Sequence, residues 1–363
     1  MIIPAVVAVA IPLIFLYLVR WLDLYASGSL KMILICLVWG AVTFFIALYL
    51  NTYIAGIIGF TWLTILAAPI LEEFLKSVVL LYLVRRPSFT YFVDGAIYGF
   101  AAGTAFAMLE NLLYLSRSGT GEAIFLALGR AFSTSLMHGS ACALVGIALG
   151  RFRYGRGSTR VLSMISGWAG AMVLHLAFNN SLNYFSDLTG VIAAVLLGLT
   201  GAGMVTAFIL WGLREERHWM KETLVLSAGV SARESAVVQQ MADLDILLEP
   251  IAERFGREKR QHVESFLKLQ AQLGIKRKIL AMTRSEAEHV EIEKQVLDMQ
   301  QEMDILRRRV GVYCMAYLRL ILPPQTEPIW SRLNRSLTDT DTEKSKGLWN
   351  KLGERFREEM PPR

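Results

Sequence analysis

The first 213 residues contain seven apolar stretches, each close to the length of about 20 residues that an α-helix needs to cross a bilayer. They cover residues 2–19, 32–50, 61–84, 92–115, 127–150, 161–184 and 189–213. A backbone in lipid must satisfy its own hydrogen bonds, and apolar stretches of this length do so as helices. The sequence therefore predicts an all-α fold built on a polytopic bundle of about seven membrane helices.

An eighth membrane segment is an open alternative. Residues 53–62, "YIAGIIGFTW", are apolar but too few to span the bilayer. They fit a short re-entrant or interfacial segment ahead of the third stretch. The predicted number of membrane segments is therefore seven to eight.

The distribution of charge divides the chain into two parts. The chain is 54% hydrophobic with a mean hydropathy of +0.43. Its first 213 residues hold only 11 of the 37 lysines and arginines and 7 of the 31 acidic residues. We therefore predict a membrane domain at 1–213 and a soluble, helical domain at 214–363.

The second part has the pattern of packed helices. Segments such as "MADLDILLEPIAERF" place apolar residues three and four positions apart. A short coiled coil, a protein partner or self-association through these helices would each cover such faces. The net charge of +6 comes mostly from loops of the membrane part, so it gives no reason to propose nucleic-acid binding.

Positive charges mark one side of the predicted bundle. The alternate loops carry almost none. The charges that follow the first, third and fifth stretches are Arg20, Lys31, Arg85, Arg86, Arg151, Arg153, Arg156 and Arg160. By the positive-inside rule, the loops that carry these charges are cytoplasmic. The sequence therefore predicts a multi-pass protein of the cell membrane. Its seven spans place the N-terminus outside and the C-terminus in the cytoplasm.

Six ionisable residues lie inside the apolar stretches, away from their ends: Glu72, Glu73, Lys76, Glu110, His138 and His175. A charged side chain at the bilayer centre costs about 2.5–3.5 kcal/mol on insertion scales. Either histidine taken alone would be a core histidine satisfied by a neighbour. Arg130, near the outer edge of the fifth stretch, is interpreted as an interfacial anchor. The set as a whole requires a different explanation.

Depth in the bilayer connects these residues. At about 1.5 Å per helical residue, Glu72 and Glu73 lie roughly 16 Å below the outer end of their stretch. By the same rise, Glu110 lies about 8 Å below its outer end, and the two histidines lie roughly 14–17 Å below theirs. Four helices thus bring acidic or imidazole groups to the outer half and middle of the membrane. This agreement predicts one shared site.

Local spacing indicates the chemistry of the site. Glu72 and Glu73 precede Lys76 by four and three residues, so the ammonium can neutralise either carboxylate. Two carboxylates in a poorly solvated site cannot both ionise cheaply, which suits the pair to general acid and base work on water. Until each is mutated, the pair is best treated as one titrating unit. His175 and Asn179 share a helix face at i, i+4.

A row of small residues precedes Glu110. Gly95, Gly99 and Gly103 recur every four residues on the fourth stretch, ahead of Glu110 and Asn111. Such a stripe lets a neighbouring helix approach closely. We therefore expect the carboxylate to lie at a tight helix contact rather than in lipid.

Four motifs on four successive stretches carry a resemblance to a known family. They are "EEFLK" (72–76), "FAMLEN" (106–111), His138 in mid-helix and "HLAFN" (175–179). In this order they resemble the PrsW family of intramembrane proteases, over residues 61–185. The related CAAX prenyl endopeptidases and bacteriocin-processing proteins usually carry EExxxR, whereas Ser77 stands at the arginine position here.

The resemblance implies an endopeptidase that cuts membrane-anchored proteins, such as anti-sigma-type regulators, at or near the outer face. It implies Glu72 or Glu73 as general base on water, with His138 or His175 stabilising the oxyanion or assisting proton transfer. The resemblance also implies Glu110 as a further catalytic group. It implies supporting or substrate-binding roles for Lys76, Asn111 and Asn179.

Metal dependence is left open by the sequence. If a divalent ion such as zinc takes part, its ligands would come from Glu73, Glu110, His138 and His175. The helical HExxH motif of zinc proteases is absent from the chain.

Two other classes of function compete with proteolysis. A proton- or cation-coupled transporter also uses intramembrane carboxylates and histidines, although the chain shows no internal repeat. A non-catalytic membrane scaffold acting through the C-terminal helices is the third alternative.

Overall fold

The computed structural model describes residues 2–23, 28–86, 89–119, 121, 123–154, 158–184, 187–225, 244–283 and 286–321. None of these residues lies in a β-strand, so the all-α prediction is confirmed. The predictions made for 226–243 and 322–363 concern residues outside these ranges.

The membrane part and the C-terminal part are both helical. The helices of the membrane part are α1 (Ile2–Trp21), α2 (Leu30–Ile58), α3 (Phe60–Trp62), α4 (Ala68–Leu83), α5 (Phe92–Arg117), α6 (Ala123–Phe132), α7 (Thr134–Tyr154), α8 (Ser158–Tyr184) and α9 (Asp187–Val225). Those of the C-terminal part are α10 (Leu244–Phe255), α11 (Arg257–Met282), α12 (Glu286–Val310) and α13 (Val312–Ile321).

Within the described ranges, 6 helical segments are long and apolar enough to cross a membrane. They lie in α1, α2, α5, the consecutive pair α6 and α7, α8 and α9. The remaining predicted stretch, 61–84, is built from α3, a π-helical segment (Leu63–Ala67) and α4, which carries the three charged residues. A multi-pass membrane bundle is confirmed, while the count of seven spans stays a prediction.

Helix α2 is longer than the sequence pattern indicates. Asn51 and Thr52, which follow the predicted stretch 32–50, lie inside this helix, which runs to Ile58. The predicted end at residue 50 was wrong because the helix continues through Gly56 and ends only at Gly59, whose φ is 82°. The segment 53–62 forms the last part of α2 and the single turn α3.

Helices α5 and α7 form the centre of the bundle, in backbone contact. A Cβ atom added at Gly95, Gly99 or Gly103 would clash with backbone carbonyl oxygens of α7, those of Gly146, Cys142 and His138 respectively. The glycine row therefore acts as the close-contact stripe that its spacing predicts. It sets the distance between the helix that carries Glu110 and the helix that carries His138.

We expect Gly103→Ala to destabilise the protein by about 1–3 kcal/mol, because the new methyl group meets the His138 carbonyl and must push α5 and α7 apart. Gly203→Ala is the matched control. A Cβ there has no heavy atom within 4 Å, so the substitution should be neutral or stabilising by up to about 1 kcal/mol. Thermal unfolding of the two purified variants compares them, and equal stabilities would contradict the backbone contact.

The C-terminal helices pack on one another and on the end of α9. Their apolar faces form a buried core that is continuous with that of the membrane helices and includes Leu248, Phe266 and Leu267. Arg153 of α7 reaches Glu288 of α12 at 3.2 Å. The predicted domain boundary at 213/214 lies inside α9, so the two-domain division stays a prediction.

Candidate active site

The six intramembrane ionisable residues meet at one place in the bundle. Helix α4 supplies Glu72, Glu73 and Lys76, while α5, α7 and α8 each supply one further group: Glu110, His138 and His175. The matching depths deduced from the sequence therefore correspond to spatial proximity. The contacts within the cluster give its members distinct positions.

Glu73 lies at the inner end of the cluster, fully buried. Its Oε1 atom accepts a hydrogen bond from Lys76 Nζ at 2.6 Å and lies 2.8 Å from His175 Nδ1. An ionised carboxylate only accepts, so the proton of the His175 ring is placed on Nδ1, which donates to Glu73. This bond leaves His175 Nε2 with its lone pair free.

Lys76 links Glu73 to His138. Its ammonium lies 2.8 Å from His138 Nδ1 and is 4.7 Å from the centre of the Phe106 ring. An ammonium can only donate, so His138 Nδ1 accepts and the ring proton is placed on Nε2. That proton is directed to Glu110 Oε2, 3.0 Å away.

Glu72 and Glu110 differ from Glu73 because both reach a cavity. The cavity has a volume of about 520 Å³, and its polar wall includes Glu72, Glu110, His175 and Asn179. Its remaining wall is largely apolar and comes from α2, α5, the segment 60–68 and α8. Glu73 and Lys76 do not line it. The two cavity-facing carboxylates can therefore contact a substrate.

Three groups are arranged as a candidate metal site. One ligand atom each from Glu72, His138 and His175 lies within 4.8 Å of the others, the only such cluster among the described residues. His175 has the arrangement typical of a metal ligand, with Nδ1–H bound to a carboxylate and Nε2 free. Nε2 lies 3.8 Å from Glu72 Oε2. Ligation through His138 Nε2 would require the ring proton on Nδ1, so the Lys76 ammonium would then donate to Glu73 and no longer to His138.

The donor set fits a divalent metal such as zinc, which takes imidazole and carboxylate ligands. It differs from the set expected from the sequence, which contained Glu73 and Glu110 in place of Glu72. Glu73 Oε1 is already engaged by Lys76 and His175, and Glu73 does not line the cavity. The geometry therefore favours Glu72 as the carboxylate ligand.

Arg130 belongs to the cluster, although its sequence position indicated an interfacial anchor. Its Nη2 lies 3.2 Å from Glu110 Oε2, and its Nε donates to Asn111 Oδ1 at 2.9 Å. The guanidinium also stacks on Tyr114, 3.8 Å from the ring centre. Asn111 in turn donates to Ser135 Oγ at 2.9 Å. Arg130 thus fixes both members of the "EN" pair.

Asn51 is a second member that the sequence reading missed. Its Nδ2 donates to Glu72 Oε1 at 2.9 Å. Asn51 lies just beyond the predicted stretch 32–50, whereas the longer α2 of the structure brings it beside α4. Asn51 leaves Glu72 Oε2 directed towards His175.

Asparagines of α8 hold the π-helical segment that precedes the glutamates. Pro69 has no N–H to offer the carbonyl four residues earlier, which is Ile65. Asn180 donates to that oxygen at 3.3 Å, and Asn179 donates to Thr64 O at 2.8 Å. The asparagine of the "HLAFN" motif therefore supports the backbone that leads into Glu72.

Comparison with known proteins identifies a family that the chain matches. Residues 28–227, more than half of the chain, match a family described as PrsW family intramembrane metalloprotease. No curated protein and no solved structure shows significant similarity to the chain. The match covers every element that contributes to the cluster. The chain therefore belongs to the PrsW family of intramembrane proteases.

Proposed function

We propose that the protein is a metal-dependent endopeptidase that hydrolyses membrane-anchored proteins in the cavity between α2, α4, α5 and α8. The observation that carries this proposal is the juxtaposition of two cavity-facing carboxylates and two imidazoles beside a space of about 520 Å³. The apolar wall suits the side chains of a membrane-embedded peptide, and the polar wall suits chemistry on its backbone.

Glu72, His138 and His175 are the proposed metal ligands. A divalent metal held there would supply Lewis acidity, which activates a water and polarises the carbonyl of the peptide bond. The ligand set also supports the metallo-type assignment over a glutamic one. In a metal-free enzyme Glu72 would instead act on water directly, and resistance of purified protein to chelators would indicate that class.

Glu110 is the proposed general base and acid. It is the other carboxylate on the cavity wall, and its side chain is 23% exposed, whereas that of Glu73 is 0% exposed. Arg130 and His138 hold its Oε2 side. The carboxylate is therefore oriented while part of it remains accessible to water and substrate.

Glu73 and Lys76 are proposed as positioning residues. Neither lines the cavity, and together they set the orientation of both imidazoles. Asn111 and Asn179 act similarly, through Arg130 and through the π-helical segment.

The cavity supports cleavage near the outer face of the cell membrane. Its exposed rim residues come from the C-terminal parts of α2, α5 and α8, for example Thr52, Tyr114 and Leu182. The positive-inside rule predicts that these three helix ends are outside. A substrate anchored by one helix could place its juxtamembrane segment there, and anti-sigma-type regulators are one class of such substrates.

Comparative membrane proteomics of cells carrying wild-type or Glu110→Gln protein tests the proposed function. We expect truncated ectodomains of membrane-anchored proteins in the wild type and none above background in the variant, since removal of a general base costs about 10²–10⁴ in rate. Glu293→Gln is the matched control, because Glu293 lies exposed on α12.

Two results would support the competing functions instead. Glu110-dependent proton or cation flux through reconstituted vesicles, without cleavage, would support a transporter. An unchanged cellular phenotype in Glu110→Gln, with loss of phenotype on removing the C-terminal helices, would support a scaffold.

A further inference from the structure

A groove of about 700 Å³ lies between α2 and α4, away from the candidate active site. Its walls are almost wholly apolar, and several of the residues that line it are exposed, such as Leu34, Val38 and Tyr82. The apolar wall residues that matter here are Leu34, Val38 and Val42 on α2, with Val78, Val79 and Tyr82 on α4. In a membrane helix pair, such a groove faces the lipid.

The length of the groove matches one leaflet. Its wall on α2 extends from Leu30 to Val42, which corresponds to about 18 Å of helix. Half of a bilayer hydrocarbon core is about 15 Å thick. The groove therefore has the length of a single acyl chain that begins at the membrane surface, and it does not extend across both leaflets.

Positive charge is concentrated at one end of the groove. Lys31 lines that end at the start of α2, and Arg86 lies at the same end because α4 finishes there. The Arg86 guanidinium stacks over the Tyr82 ring at 4.4 Å. The exposed Lys31 ammonium makes no hydrogen bond or ion pair with any residue in the described ranges.

We propose that this groove binds one acyl chain of an anionic phospholipid, with the phosphate at Lys31 and Arg86. The apolar walls match the hydrocarbon, and the unpaired ammonium matches the phosphodiester. A transmembrane helix of a substrate or of a second copy would cover the apolar walls but would leave the Lys31 charge without a counter-charge. The charge at this end therefore favours a lipid, from the leaflet that the positive-inside rule predicts to be cytoplasmic.

Trp39 provides a reporter inside the groove. Its indole lines the wall, and its Nε1 donates to Leu75 O at 3.0 Å, which fixes the ring against α4. Full-length protein is reconstituted in phosphatidylcholine vesicles with increasing brominated phosphatidylglycerol or brominated phosphatidylcholine. Subtracting the fluorescence of Trp39→Phe from that of wild type isolates quenching of this residue.

We expect brominated phosphatidylglycerol to half-quench Trp39 at about fivefold lower mole fraction than brominated phosphatidylcholine, since one surface charge has about this effect. Lys31→Gln should reduce the ratio towards one. Val38→Phe, which adds bulk to the exposed wall, should weaken quenching by both lipids. Equal quenching by the two lipids in wild type would overturn the proposal and indicate ordinary surrounding lipid.

Mass spectrometry of the detergent-solubilised protein gives a second measurement that does not depend on Trp39. We expect wild type and Arg214→Gln to retain one phosphatidylglycerol, and Lys31→Gln to lose it. Arg214 is a suitable control because it is an exposed cation that directly follows the predicted membrane stretch 189–213, on its predicted cytoplasmic side, and does not line the groove. Equal retention of phosphatidylglycerol by all three proteins would contradict the proposal. A dimer in which neither brominated lipid quenches Trp39 would also contradict it.

Discussion

Glu72→Gln is expected to abolish metal retention and proteolysis together, whereas Glu110→Gln is expected to abolish proteolysis with the metal retained. Glu72 contributes a ligand atom within 4.8 Å of those of His138 and His175, and an amide in its place is a poor ligand. Glu110 contacts the cluster through His138 and Arg130 but is outside this group. Both substitutions replace one carboxylate oxygen with an amide nitrogen, and both residues line the cavity, so the two variants differ only in the position that is changed.

The measurement pairs elemental analysis of the purified protein with a cleavage assay on a single-pass membrane substrate. For Glu110→Gln we expect wild-type metal content and a rate lower by about 10²–10⁴. For Glu72→Gln we expect metal content near background and no cleavage above that of the detergent blank. Retention of metal by Glu72→Gln with loss from Glu110→Gln would reverse the assigned roles.

Lys76→Met is expected to destabilise the protein by about 3–5 kcal/mol, because it leaves the Glu73 carboxylate buried without its counter-charge. Both side chains of this pair are 0% exposed, and their charged atoms are 2.6 Å apart. The double variant Glu73→Gln/Lys76→Met removes both charges and should recover most of the stability. It should remain inactive, since His138 loses the ammonium that donates to its Nδ1 and His175 keeps only a neutral amide oxygen as its acceptor.

Lys268→Met is the matched control for this prediction. Lys268 and Glu264 are also 2.6 Å apart, but their side chains are 42% and 30% exposed. Solvent screens this pair, so we expect a loss of at most about 0.5 kcal/mol. Unfolding of all variants in the same detergent compares them. Similar stabilities for Lys76→Met and Lys268→Met would show that Glu73 and Lys76 do not form a buried ion pair.

The sequence predicted the all-α membrane fold and the six ionisable residues that meet in the cluster, because both follow from the free-energy cost of placing polar groups in lipid. Apolar stretches of spanning length must be helical in lipid, and each ionisable group within them requires a partner. Glu73, Lys76 and the two histidines are therefore identifiable before their contacts are known. The glycine row before Glu110 likewise follows from spacing, and its contact with α7 was found.

The tertiary structure decided which of Glu72 and Glu73 faces the cavity and which is enclosed. Glu72 and Glu73 are adjacent, and both lie within one turn of Lys76, so helical spacing cannot separate them. The positions of the neighbouring helices do separate them. Helix α8 places His175 Nδ1 against Glu73, while α2 places Asn51 against Glu72. One carboxylate is thereby enclosed and the other faces the cavity.

Arg130 and Asn51 show what a one-dimensional pattern omits. Arg130 lies near the end of a predicted span, and the sequence pattern there is the same whether the guanidinium meets lipid headgroups or a buried carboxylate. Asn51 is a polar residue after an apolar stretch, a pattern that also occurs where a loop begins. The sequence by itself determined which segments enter the membrane and which ionisable groups lie well inside them, because transfer free energy depends on side-chain type. Only the tertiary structure decided which groups pair and which face the cavity, because hydrogen bonds and ion pairs depend on distances between helices that are far apart in the chain.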